Sequence, residues 1–164
     1  MERLIEAMME YDKGDAARIQ HFLKVYELAK TIGKMEKLDD KTQFILETAA
    51  LVHDIGIHKA EEKYGSSSGK YQEKEGPGQA RALLDKLNWP EDVTERVCFL
   101  VGHHHTYAGI DSLDWQILVE ADFLVNLYED SSSRETRENV YRKIFKTGGG
   151  KRLFGLMYGL EAEA

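Results

Sequence analysis

A single cysteine, Cys98, has nothing to pair with inside the chain, so an internal disulfide framework is excluded. Its neighbours Val97, Phe99, Leu100 and Val101 mark it as a buried, inert thiol rather than a reactive one. There are only two prolines, and no stretch alternates polar and apolar residues long enough to compete as a strand. No apolar run approaches the roughly 20 residues of a membrane span, and no internal repeat is present. The opening Met1-Glu2-Arg3-Leu4-Ile5-Glu6 carries acids where a signal peptide carries only bases, which predicts a cytoplasmic protein. Positive charge is also in short supply. Against 29 Asp and Glu stand 22 Lys and Arg, a formal charge of -7, which excludes a general nucleic-acid binder with its basic stripe. A small phosphorylated partner is still allowed, because a bound divalent cation reverses the local field.

What the chain does have is helical periodicity. Its 164 residues, 42% of them hydrophobic, suffice for one all-α domain over 1–164 with a real core. The spacing of apolar residues predicts a short helix over 2–11, then a second from about Ala16 to Ile32, capped by Asp15. Asp39 or Asp40 caps a third, Lys41 to about Ile55, whose Phe44, Ile45, Leu46, Ala49, Ala50, Leu51 and Val52 cover almost the whole circumference and place it at the centre. Lys, Glu, Gly, Ser and Tyr dominate His58 to Gly78, which predicts one long, functional loop. Within it Gly65-Ser66-Ser67-Ser68-Gly69-Lys70 imitates a phosphate loop. It is one residue short, has Tyr71 where Ser or Thr is required, and follows no strand. Further helices are predicted from Pro77 or Gln79 to Leu87, from Pro90 to the triplet His103-His104-His105, over 113–128, over 134–147, and after Gly148-Gly149-Gly150. The run Glu129 to Ser133 reads as a loop and the end, Glu161 to Ala164, as frayed.

Polar residues on apolar stripes break this pattern. His53-Asp54 ends the central helix, His21 shares a stripe with Ala17, Val25 and Leu28, His104 follows Val97, Leu100 and Val101, and Asp122 accompanies Leu118, Val119 and Val125. An ionised carboxylate buried without a partner is very costly, so such an Asp is normally paired or bound to a cation. Imidazole and carboxylate groups converging from several helices are how bundles build metal sites. Glu120 is ambiguous between core and surface.

With Arg18-Ile19-Gln20-His21, the His53-Asp54 doublet, Val101-Gly102-His103-His104 and Ala121-Asp122 in place, the chain resembles the HD superfamily of metal-dependent phosphohydrolases over about residues 15–130. The resemblance implies an HD-type helical bundle, and the helices over 134–160, which carry no ligand or catalytic pattern, are expected to pack on it or form a homodimer contact. It implies a first divalent transition metal (Fe, Mn, Ni, Co or Zn) on His21, His53, Asp54 and Asp122. A second would share Asp54 and His104. Its remaining ligand, commonly in a His-Gly-Pro context, is expected here to be the Glu75 of Glu75-Gly76-Pro77; a single metal is the alternative. A metal-bound water of lowered pKa, oriented or deprotonated by Asp54, would then attack a phosphomonoester or phosphodiester of a small nucleotide-like molecule. Arg18, Lys63 and Lys70 are the expected cationic partners of the phosphate, Arg18 and Lys70 with a catalytic part, while Tyr71 and His105 would contact the rest of the substrate. Two other classes fit the same residues: a non-catalytic nucleotide-binding regulatory module, and a di-iron oxygenase of the same fold.

Overall fold

In the computed structural model, which describes residues 1–159, the chain runs α1 (Glu2–Tyr11), α2 (Ala16–Met35), α3 (Asp40–Val52), α4 (Ile57–Tyr64), α5 (Gly69–Lys86), α6 (Glu91–Val101), α7 (Leu113–Glu129), α8 (Arg134–Ile144) and α9 (Gly148–Tyr158), with no strand among the described residues. The end expected to fray, Glu161 to Ala164, lies outside that range. Both predicted caps form. The Asp15 carboxylate accepts from the Arg18 backbone N–H, and Asp39 accepts from those of Lys41 and Thr42. No described helix is long and apolar enough to cross a membrane.

Helix α3 is central, as its apolar circumference requires. Leu46 and Thr48 to Val52 are fully buried, and α1, α2, α6 and α7 all pack against it. It ends at Val52, three residues earlier than expected, so the doublet sits in the turn that leads into α4. Gly56 follows the doublet with a φ of −73°, a conformation open to any residue. It is glycine because α5 passes against it: a Cβ there would lie 2.7 Å from the Gln72 carbonyl oxygen and from the Gly76 nitrogen. Gly76 in turn leaves no room for a Cβ against Val101 Cγ1, also at 2.7 Å. This close crossing of backbones fixes the doublet turn between α3, α5 and α6.

The expected long loop over 58–78 is instead helix α4, a four-residue link and most of helix α5, with Pro77 inside it. Tertiary pairing outweighs the poor local propensity. Tyr64 stacks on Tyr71 with ring centroids 4.1 Å apart, and Glu75 of α5 accepts from Tyr64 Oη and Lys63 Nζ of α4. Cys98 is half-buried, its Sγ 3.4 Å from the Pro77 carbonyl oxygen, and burial raises its pKa.

Glu120 belongs to the core rather than the surface. Fully buried, it accepts from the backbone N–H groups of Lys146 and Thr147, from Thr147 Oγ1 and from Gln116 Nε2, and so ties the α8–α9 connection to α7. The three glycines form the first turn of α9 rather than a break, capped by Thr147. Glu129, assigned to a loop from its acidic surroundings, is the last residue of α7.

Candidate metal centre

Three histidines converge with two aspartates where α2, the doublet turn, the end of α6 and α7 meet. Each imidazole uses Nδ1 on an acceptor: His21 on Glu129 Oε2 at 2.8 Å, His53 on the Ala50 carbonyl at 2.9 Å, and His104 on the Val101 carbonyl at 2.8 Å. In this arrangement Nδ1 carries the hydrogen and Nε2 presents a lone pair. His21 Nε2 and His53 Nε2 are 3.2 Å apart. His21 Nε2 stands 3.4 Å from Asp54 Oδ2 and 3.2 Å from Asp122 Oδ1, while His53 Nε2 is 3.4 Å and 3.5 Å from the same two oxygens. His104 Nε2 lies 3.4 Å from the other Asp54 oxygen and is buried with no hydrogen-bond partner.

Acceptor atoms facing one another at this spacing need protons or a cation between them. The electrostatics give the same picture. Burial opposes charging His53, but the ionised Asp54 and Asp122 overcome it and hold its pKa well above the ordinary value; His21 is raised too. Burial likewise opposes ionising Asp54 and Asp122, and the facing imidazoles win, holding both carboxyls well below the usual range. The site is built to hold positive charge. Two groups have ligand atoms near enough together for an ion: His21, His53 and Asp54, and Asp54, His104 and His105. The donor set fits a divalent transition metal.

A cavity of about 280 Å³ opens beside this cluster, lined by Arg18, His21, Asp54, Gln72, His105, Asp122, Asn126 and Glu129 together with Ala17 and Ile57. Arg18 and His105, both expected to contact the substrate, are among the lining residues, whereas Glu75, Lys63, Lys70 and Tyr71 are not. Glu75 faces α4 and is engaged by Lys63 and Tyr64, so neither Glu75 nor Lys63 reaches the cavity. Lys70 lies over the Tyr71 ring, and Tyr71 stacks on Tyr64, away from the lining. All four lie in the stretch expected to be one long functional loop, which the α4–α5 pair replaces.

The residue that α5 does send to the cavity is Gln72. Its Nε2 donates to the Ser67 carbonyl, leaving Oε1 to accept from His105 Nε2 at 3.2 Å. Burial and the neighbouring His104 push the His105 pKa down to about 4, so His105 is neutral at pH 7. Of the triplet, His104 is the fully buried member. His103 stacks on Phe99 and packs edge-on to Trp115. Asn126 Nδ2 donates to Asp122 Oδ1 at 2.8 Å. The spacing Asp122, Asn126, Glu129 puts three polar residues on one stripe of α7, a signal in the sequence that points to all three.

Residues 18–138 match the HD domain family, and the chain belongs to it. Among solved structures it is similar to a predicted HD superfamily hydrolase from an uncultured Thermotogales bacterium, with a TM-score of 0.67 and 25% identity over 97% of this chain and 85% of the other. No curated protein sequence matches the chain.

Proposed function

We propose that this protein is a metal-dependent phosphohydrolase acting on a phosphomonoester or phosphodiester of a small, nucleotide-like molecule. One observation carries this. Three imidazoles commit Nδ1 to acceptors and turn bare Nε2 atoms, with two carboxylates, toward one another beside an open cavity that contains a guanidinium. His21, His53 and Asp54, joined by the Asp122 carboxylate 3.2 Å from His21 Nε2, would hold one ion, and Asp54 with His104 and His105 would offer a place for a second. When bound, such a cation lowers the pKa of a coordinated water and polarises a phosphoryl oxygen. The chain's own groups supply the remainder. Glu129 keeps His21 in the tautomer that leaves Nε2 bare, and Asn126 holds the Asp122 carboxylate in place. Arg18 offers charge-assisted donors to the non-reacting phosphate oxygens and so binds the substrate's charge. Gln72 and neutral His105 present polar atoms to the uncharged part of the substrate. Family membership and the neighbour's description as a hydrolase support this assignment.

The test is elemental analysis of the purified protein, followed by phosphate-release assays after reconstitution with Mn, Co, Ni, Fe, Zn or Mg across nucleotides and dinucleotides. Asp54→Ala is expected to lose both bound metal and hydrolysis. Hydrolysis retained by the metal-stripped Asp54→Ala protein would contradict the proposal. Oxygen consumption by the iron form without phosphate release would point to the oxygenase chemistry instead.

A further inference from the structure

Arg18 is held by an arrangement that reaches back to α1, outside the residues that match the family. Its Nη1 donates to His58 Nδ1 at 3.0 Å, and His58 Nε2 lies 2.7 Å from Asp12 Oδ1. A guanidinium only donates, so His58 Nδ1 must carry the lone pair and Nε2 the hydrogen that Asp12 accepts. The order is thus carboxylate, imidazole, guanidinium, running from the buried Asp12 to the cavity wall. The preceding residue, Tyr11, donates its hydroxyl to the Ile55 carbonyl at 3.0 Å, directly after the doublet, and its ring packs on His58 with centroids 5.4 Å apart. The C-terminal end of α1 therefore braces both the metal-binding turn and the cavity's arginine.

Two carboxylates also contact Arg18: Glu61 at 2.7 Å and Asp15 at 3.4 Å. Both are substantially exposed, and an incoming phosphate competes with them for the same charge. His58 differs because it is a neutral acceptor. It fixes the guanidinium plane without neutralising it, and the Asp12 charge is directed to the imidazole. We infer that Asp12 and His58 are positioning residues that hold Arg18 at the cavity to receive the non-reacting oxygens of the substrate phosphate. This inference rests on the phosphohydrolase assignment above.

The experiment measures metal content, steady-state hydrolysis of p-nitrophenyl phosphate and calorimetric binding of inorganic phosphate, all on Mn-loaded protein. His58→Phe keeps a ring against Tyr11 but removes both polar contacts, and its KM and its dissociation constant for phosphate should each rise about tenfold, the scale of one charge-assisted hydrogen bond. Its kcat should stay within about twofold and its metal content should not change, since uniform binding is what is lost. His58→Gln, which can accept from Arg18 and donate to Asp12, should restore most of the loss. Adding Arg18→Ala to His58→Phe should worsen binding no further than Arg18→Ala alone. If His58→Phe does not fold, Asp12→Leu cuts the same line from outside the cavity and carries the same expectation. Unchanged KM and phosphate affinity in both variants, a loss confined to kcat, or loss of metal would each overturn the inference while leaving the hydrolase assignment intact. Wild-type protein that neither hydrolyses the ester nor binds phosphate would overturn the assignment, and the inference with it.

Discussion

His104 Nε2 stands 3.4 Å from Asp54 Oδ1, fully buried and without a hydrogen-bond partner, because the Nδ1 hydrogen of the same ring is engaged by the Val101 carbonyl. Two lone-pair atoms facing each other in the core are a debt that a cation settles in the folded chain alone. Ion binding should therefore stabilise the protein by about 2.7 kcal/mol at a hundred times the dissociation constant, which for a chain of this size is a rise in Tm of about 5 to 10 °C. Thermal unfolding of EDTA-treated protein with and without added Mn or Zn measures it. Asp54→Ala should abolish the rise, since Asp54 belongs to both ligand groups, whereas His104→Leu should keep a smaller one. An undiminished rise in Asp54→Ala would contradict this placement of the ion.

Glu129 sits outside the expected ligand set, yet its carboxylate fixes the His21 ring through Nδ1 at 2.8 Å while Lys24 Nζ holds its other oxygen at 2.6 Å. Partners of this kind set the tautomer and basicity of a ligand, and removing one lowers metal affinity about 10- to 100-fold. Glu129→Gln should show that weakening in a metal titration, with the stoichiometry at saturation unchanged. A lost equivalent of metal would make Glu129 a ligand rather than an orienting group.

The all-helical class, the central place of α3 and the inward faces of His21, His104 and Asp122 were all legible because each depends on the 3.6-residue period of a single helix. Glu75 illustrates where that ends. Its neighbours Gly76 and Pro77 and the Lys, Ser and Tyr around it read as loop, and only the pairing of α4 with α5 through Tyr64, Tyr71 and Lys63 makes the segment helical and turns Glu75 away from the cavity. Gln72 was missed for the same reason, since no face can be assigned to a helix that has not been recognised. Glu120 was left ambiguous and Glu129 was assigned to a loop because their partners, Thr147 and His21, lie 27 and 108 residues away in sequence. Side-chain periodicity carries no information about such partners.

Arg96 and Asp114 give the structure a pH dependence remote from the metal centre. Arg96 donates from Nε at 2.8 Å and from Nη2 at 2.9 Å to the two carboxylate oxygens of Asp114, which is almost fully buried. Burial alone would raise the Asp114 pKa, but the guanidinium and Ser112 outweigh it and hold the value below the ordinary one. A carboxyl with a depressed folded pKa contributes stability that is fully present above its unfolded value, near 4, and is lost as pH falls through the folded value. Asp114→Asn should therefore cost about 2 kcal/mol at pH 7, allowing for screening at the partly exposed Arg96. The gap between variant and wild type should narrow below about pH 4. Urea midpoints from pH 7 down to 3 test this, and a gap that stays constant over that range would assign the loss to packing rather than to the ion pair.

Glu120 and Gly150 are coupled by contact. A Cβ on Gly150 would lie 1.9 Å from Glu120 Oε2, a distance no real atom pair tolerates, so the carboxylate that anchors Lys146 and Thr147 also dictates the glycine in the first turn of α9. Gly150→Ala should destabilise by about 2 kcal/mol, because the displaced carboxylate abandons hydrogen bonds or strains the turn. Glu120→Ala should cost about 3 kcal/mol or more, since it leaves the Lys146 and Thr147 backbone N–H groups and the Thr147 hydroxyl without their acceptor in the core. In the Glu120→Ala background the nearer obstacle is gone, but Thr147 Oγ1, the α9 cap, still lies 2.8 Å from a Cβ there, so Gly150→Ala should cost clearly less than in the wild type without becoming stabilising. The reduced cost is the diagnostic outcome. Urea denaturation of the four proteins in the cycle should give an interaction energy of about 1 kcal/mol, whereas additive losses would mean that the glycine is needed for the turn itself and not to make room for Glu120.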